Sequence, residues 1–154
     1  MARGPWLDER EQCAWRGFLT MRARLDAALR RSLQQHAGLS DADYGVLVHL
    51  SEAPRGRVRQ FELAKALGWE KSRVSHQVRR METRGLVERS ACTTDRRGAE
   101  VAITRAGRAA IRAAAPQHAA DVTAFFAEPL TAEQLDALTA ISAAVIARLD
   151  ELGV

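Results

Sequence analysis

The chain has 154 residues, 47% apolar and 27% charged, with a formal net charge of +4. That is the make-up of one ordinary soluble domain, and it excludes collagen, mucin and disordered tails. The longest charge-free stretch near the C-terminus, Ala137–Ala147, is well short of the roughly 18 to 20 apolar residues that cross a bilayer. Met1 to Gln12 carry Asp8, Glu9 and Glu11 and lack the pattern of a secretory signal, so a cytoplasmic protein with no membrane partner is expected.

In chain order, Leu7, Trp15, Phe18, Leu25, Leu29 and Leu33 recur at helical spacing, which predicts one long amphipathic helix from about Leu7 to His36. It is longer than a small core needs, so part of its apolar stripe should face something else. Gly38 is its expected stop, and Ser40-Asp41-Ala42-Asp43 has the form of a capping box opening a helix through Tyr44, Leu47 and Leu50. Pro54 and Gly56 end that helix, and Arg57 to Arg59 can be extended. Gln60 to Leu67 reads helical until Gly68 breaks it.

Lys71 to Arg84 then places Val74, Val78 and Met81 on one narrow stripe. The opposite face holds Ser72, His76, Arg79 and Thr83, flanked by Arg73, Arg80 and Ser75. Leu86 to Ala91 and Glu100 to Ile103 alternate as strands, joined by a tip holding Arg96 and Arg97. Thr104 can cap a helix from Arg105 to about Ala127, which Pro116 is expected to kink or split. Thr131-Ala132-Glu133-Gln134 opens a last helix carrying Leu135, Leu138, Ile141, Val145 and Leu149.

The charge is segregated along this order. Arg55 to Arg108 hold fourteen basic residues against six acidic ones, while the rest of the chain holds nine against thirteen. Two short helices around a tight glycine turn, the second polar outside and followed by a basic hairpin, form the pattern of a winged helix-turn-helix. Such a helix fits the DNA major groove, and an arginine at a hairpin tip suits the adjacent minor groove. A solvated charged surface, or a winged-helix module that binds protein rather than DNA, would carry the same pattern. An enzyme is not expected: His36, His49, His76 and His118 are dispersed, and no phosphate loop is present. Cys13 and Cys92 are too few and too far apart for a disulfide framework or a metal site, and no cofactor is expected. Nothing in the sequence marks Cys13 as reactive, so a buried or inert cysteine is expected there.

Several stretches together resemble the MarR family, the multiple antibiotic resistance regulators, across nearly the full length. They are Gly38-Leu39-Ser40 followed by Tyr44 and Leu47, Leu63-Ala64, and Ser72-Arg73-Val74-Ser75 leading to Val78, Arg80 and Met81-Glu82. Gly85-Leu86-Val87-Glu88-Arg89, Asp95-Arg96-Arg97-Gly98, Val101 to Thr104 and Gly107 complete the likeness. The resemblance implies a mainly α fold with a small β-hairpin wing, a winged helix-turn-helix with N- and C-terminal dimerisation helices. The single domain, 1–154, would hold a DNA-binding lobe over 40–104 and dimerisation helices over 7–37 and 105–151.

It further implies a cytoplasmic homodimer, commonly a repressor, on a pseudo-palindromic operator in double-stranded DNA. Release by a small aromatic or phenolic ligand is often part of that behaviour. The terminal helices would then intertwine with a second copy, where otherwise they would simply pack on each other. Carried over by position, Ser72, Arg73, Ser75, His76 and Gln77 would meet bases and nearby phosphates, and Arg80 the backbone. Arg97 with Arg96 would form the wing probe, oriented by Asp95. Arg59 and Lys71, near the openings of the two short helices, would clamp phosphates. Phe61 stands where a small capping residue is expected. Trp15, Phe18, Tyr44, His49 and Trp69 are the candidates for lining a ligand cavity.

Overall fold

The computed structural model of the protein describes residues 6–91 and 99–153. The first helix, α1 (Glu9–Ala37), starts where Asp8 and Glu11 exchange hydrogen bonds between side chain and backbone N–H, at 2.8 and 3.0 Å. It ends at Gly38 in the left-handed conformation. Ser40 and Asp43 repeat the reciprocal cap at the start of α2 (Asp41–Glu52). Each cap satisfies donors that a helix N-terminus otherwise leaves without partners.

A 3-10 turn, Pro54–Gly56, leads into β1 (Arg57–Arg59), which is followed by α3 (Gln60–Leu67). Phe61 lies exposed in the first turn of α3, and the cap there is supplied by Glu62, whose carboxylate accepts from the Arg59 N–H at 3.1 Å. Gly68 takes φ +61°, and the next N–H, of Trp69, donates to the Ala64 carbonyl at 2.9 Å, so the chain reverses tightly into α4 (Lys71–Thr83). The strands β2 (Val87–Ala91) and β3 (Ala99–Ile103) follow, and the sheet order is β1-β3-β2, antiparallel throughout. The hairpin tip, residues 92–98, is outside the described residues.

Thr104 caps α5 (Arg105–Val122) by accepting from the Gly107 N–H at 3.0 Å. A side chain at Gly107 would overlap the Leu86 carbonyl and come within 2.9 Å of Ile103, so only glycine lets this helix start so close to the sheet. Of the expected kink or split at Pro116, the split does not occur: Arg105–Val122 is one helix with Pro116 inside it. The irregularity comes later, as a π-helical turn over Thr123–Ala127 closed by the Glu128 N–H on the Thr123 carbonyl at 2.8 Å. The last helix is α6 (Ala132–Leu152), capped by Thr131 and Gln134. Among the described residues no single helix is long and apolar enough to cross a membrane.

The chain divides into two compact units, one ending at His118 and one beginning at Ala119. The core of the first gathers Leu39, Val46, Leu47 and Leu50 with Leu63 from α3, Val74, Val78 and Met81 from α4, and Val87, Val101 and Ile103 from the sheet. Each such side chain contributes about 1.5–3 kcal/mol on leaving water. In the second unit, α6 buries none of its residues; Leu135 and Leu138 are half-buried, and Ile141, Val145, Ile146 and Leu149 are exposed.

Candidate nucleic-acid interface

The orientation of α4 is set by its apolar stripe. Val74, Val78 and Met81 are buried in the core, which leaves Ser72, Arg73, His76, Arg79 and Arg80 exposed and Ser75 half-buried at the edge. Lys71 begins the helix, exposed, directly after Glu70. Arg59 is half-buried at the start of α3. Six expected contact residues of α4, Lys71, Ser72, Arg73, Ser75, His76 and Arg80, therefore share one cationic surface rich in hydrogen-bonding groups. Gln77 does not.

Gln77 is only 8% exposed, and its amide donates to Asp43 Oδ1 at 2.7 Å. The reason is helical geometry: Gln77 lies three residues after Val74 and four before Met81, which puts it on the inward stripe. Its partner Asp43 is 3% exposed and also accepts from Arg84 Nη1 at 2.7 Å, while Arg84 Nη2 reaches the Gly38 carbonyl at 2.9 Å. Burial pushes the Asp43 carboxyl up, but hydrogen bonds from Ser40 and Arg84 outweigh it and hold the group below the usual carboxylate range. The second helix is thus tied to both the middle and the end of α4. The sequence pointed to Ser40 and Asp43 as a capping box, to Gly38 as a helix stop and to Gln77 as a DNA contact, but not to their joining; Arg84 carries no local signal.

On the turn before α4, the Arg73 guanidinium lies 4.2 Å from the centre of the Trp69 ring, and Trp69 itself packs on the core. On the sheet, Arg57 of β1 pairs with Glu100, near the tip end of β3, at 3.3 Å and so links β1 to the hairpin. The expected wing residues Asp95, Arg96 and Arg97, like Cys92, lie outside the described residues.

The five aromatic candidates for a ligand cavity are dispersed. Trp15 and Phe18 stack on each other, exposed on α1, with ring centres 5.8 Å apart. Tyr44 and His49 are half-buried on α2, where Tyr44 faces His118 at 4.3 Å between ring centres. Burial, and then the charge of Glu52, raise the Tyr44 hydroxyl pKa. Trp69 serves Arg73. An open groove of about 840 Å³ runs along α1, lined by Glu9, Gln12, Cys13, Arg16, Gly17, Thr20, Met21 and Arg24, and includes none of the five. Cys13 is exposed there, not buried. Among the described residues no three His, Cys, Asp or Glu side chains converge as metal ligands.

A sequence model of the MarR family matches residues 37–98, which span α2 to the hairpin. Among solved structures, AbsC, a MarR family transcriptional regulator from Streptomyces coelicolor, is 39% identical. The match covers 96% of this chain and 99% of AbsC, with a TM-score of 0.90. The chain belongs to the MarR family.

A second MarR family regulator from Streptomyces coelicolor, Sco3205, solved in complex with DNA, is 38% identical over 97% of this chain and 93% of its own, at a TM-score of 0.91. Bordetella bronchiseptica BpsR shares the MarR fold at 20% identity, covering 86% of this chain and 97% of its own, with a TM-score of 0.74. No curated protein matches the chain. The protein is accordingly a transcriptional regulator of the MarR type, and α3, the glycine turn and α4 form its helix-turn-helix.

Proposed function

We propose that the protein is a sequence-specific DNA-binding regulator that acts as a homodimer on a pseudo-palindromic operator in the cytoplasm, as a ligand-responsive repressor. The observation that carries this reading is the outward face of α4: its core stripe is fully used, and every exposed position around Arg73, His76, Arg79 and Arg80 is polar or cationic. A face of that kind matches the donors and acceptors of the major groove and the flanking phosphates. Sco3205, similar over nearly its whole length, was solved in complex with DNA. Arg59 and Lys71 would hold phosphates, Ser72, Ser75 and His76 would meet bases with Arg73, and Arg96 and Arg97, oriented by Asp95, would enter the minor groove.

Two observations support the finer parts. Trp15 and Phe18 on α1, and Ile141, Val145 and Ile146 on α6, are large apolar side chains left exposed, as surfaces meant for a second copy would be. Two copies would set two α4 helices about one turn of DNA apart. For ligand response, the Tyr44 and His118 rings lie 4.3 Å apart between centres and tilted by 45° in the first unit, and the buried His118 Nδ1 has no hydrogen-bond partner. A small aromatic or phenolic molecule with a polar group would suit it, and would release DNA by binding the DNA-incompetent form more tightly. In BpsR, DNA binding is regulated by 6-hydroxynicotinic acid.

In vitro selection of duplexes with the purified protein tests the reading. An enriched inverted repeat with half-sites about 10 base pairs apart, bound with steep salt dependence, is expected. Absence of both enrichment and salt-sensitive retention would leave the protein-binding module as the better description.

A further inference from the structure

We propose that Trp69 is a positioning residue for DNA recognition: it holds the Arg73 guanidinium as a preformed fork that reads a guanine edge. The inference rests on the regulator reading above and names a device within it. Trp69 sits between the glycine turn and α4, half-buried against the core, so its ring is a fixed platform. Arg73, on the first turn of α4, is exposed and places its guanidinium 4.2 Å from the ring centre. Among the described residues that guanidinium makes no hydrogen bond or ion pair.

The chemistry of the two groups makes this arrangement specific. A ring beneath a guanidinium occupies its π-face and leaves the N–H donors, which lie in the guanidinium plane, pointing outward. Guanine presents O6 and N7 side by side in the major groove, and a planar fork matches both at once. A free arginine side chain would have to be ordered when DNA arrives, whereas one already resting on Trp69 loses less freedom on binding. Lysine, a point charge without a fork, would keep the attraction to DNA and lose the base choice.

The test is a double-mutant cycle on the selected operator and on a non-specific duplex of equal length. R73A should weaken operator binding by roughly tenfold to a hundredfold and relax the preference for guanine at one position of each half-site. W69L should cost about fivefold on the operator, nothing on the non-specific duplex, and nothing further in the R73A background. W69F, which retains a ring, should restore most of the loss, and R73K should keep the non-specific affinity while losing the guanine preference at that one position.

In the free wild-type protein, NMR should find the Arg73 Cδ protons shifted upfield by the indole ring, a readout that holds even if W69L folds poorly. An unshifted Arg73 overturns the proposal, as does a W69L loss that is equal with and without Arg73 or equal on both duplexes. A wild type that selects an operator but shows an additive cycle removes the positioning role and leaves the regulator reading intact. A wild type that retains no duplex overturns that reading and this inference with it.

Discussion

Helices α4 and α6 are written in the same code and end in opposite states. Both carry apolar side chains at helical spacing, Val74, Val78 and Met81 in one, Ile141, Val145 and Leu149 in the other. In α4 the stripe vanishes into the core, with Val78 at 0% exposure, while in α6 Ile141 and Val145 remain 59% and 55% exposed. In α4 the polar face is thus the one left outward, and in α6 the apolar face is. Periodicity reports that a helix has a face to bury; it does not report which chain supplies the cover.

The sharpest way to break this comparison is one substitution made twice. Val78→Asp places an unpaired carboxylate in a packed core, at a cost above about 4 kcal/mol, and should leave no cooperative thermal transition. If α6 meets a second copy as proposed, Val145→Asp should preserve the far-UV circular dichroism of a folded protomer, give a monomer in analytical ultracentrifugation where the wild type gives a dimer, and abolish operator binding. If Val145→Asp unfolds the chain as Val78→Asp does, the α6 face is filled from within one protomer. A variant that stays dimeric and binds DNA removes α6 from the interface.

The same contrast explains how much could be read from residues alone. The helix boundaries around Gly38, Gly68 and Thr131 follow from capping chemistry that is local in sequence, and they stand within a residue or two of expectation. Gln77 was misread because its amide looks like a base reader, although its spacing from Val74 and Met81 already placed it inward. The bonds from Gln77 and Arg84 to Asp43 join residues more than thirty positions apart, and no local pattern encodes them. Trp69 entered only as one of five aromatic candidates for a ligand cavity, and its contact with Arg73, four residues on, is one that spacing alone does not single out.

The next largest effect concerns what ties α4 down, a requirement α6 does not share within its unit. Asp43→Asn keeps the volume but removes the charge that accepts from Gln77, Ser40 and Arg84, and should cost about 2–3 kcal/mol in urea unfolding. Because the folded-state pKa of Asp43 is depressed below its ordinary 3.8, its contribution is complete above that value and is lost as pH falls through the lower folded-state pKa. The gap between wild type and Asp43→Asn should therefore be constant near neutrality and close below about pH 4. A gap that persists unchanged at pH 2.5 would mean that Asp43 acts through shape rather than charge.

The smallest effect comes from a more exposed ion pair, Arg57 with Glu100. Here both partners meet solvent, so water already does most of what the partner would do, and holding two long side chains together costs entropy. Arg57→Ala should lower stability by about 0.5 kcal/mol at low salt and by an unmeasurable amount in 1 M sodium chloride, where screening acts within about 3 Å. The contrast with Asp43 is one of cover, as it was between the two helices: similar charges carry stability only where the surrounding chain excludes water. Should Arg57→Ala cost more than about 1.5 kcal/mol at either salt concentration, the pair is bracing the hairpin against strain, and cover alone does not rank the two sites.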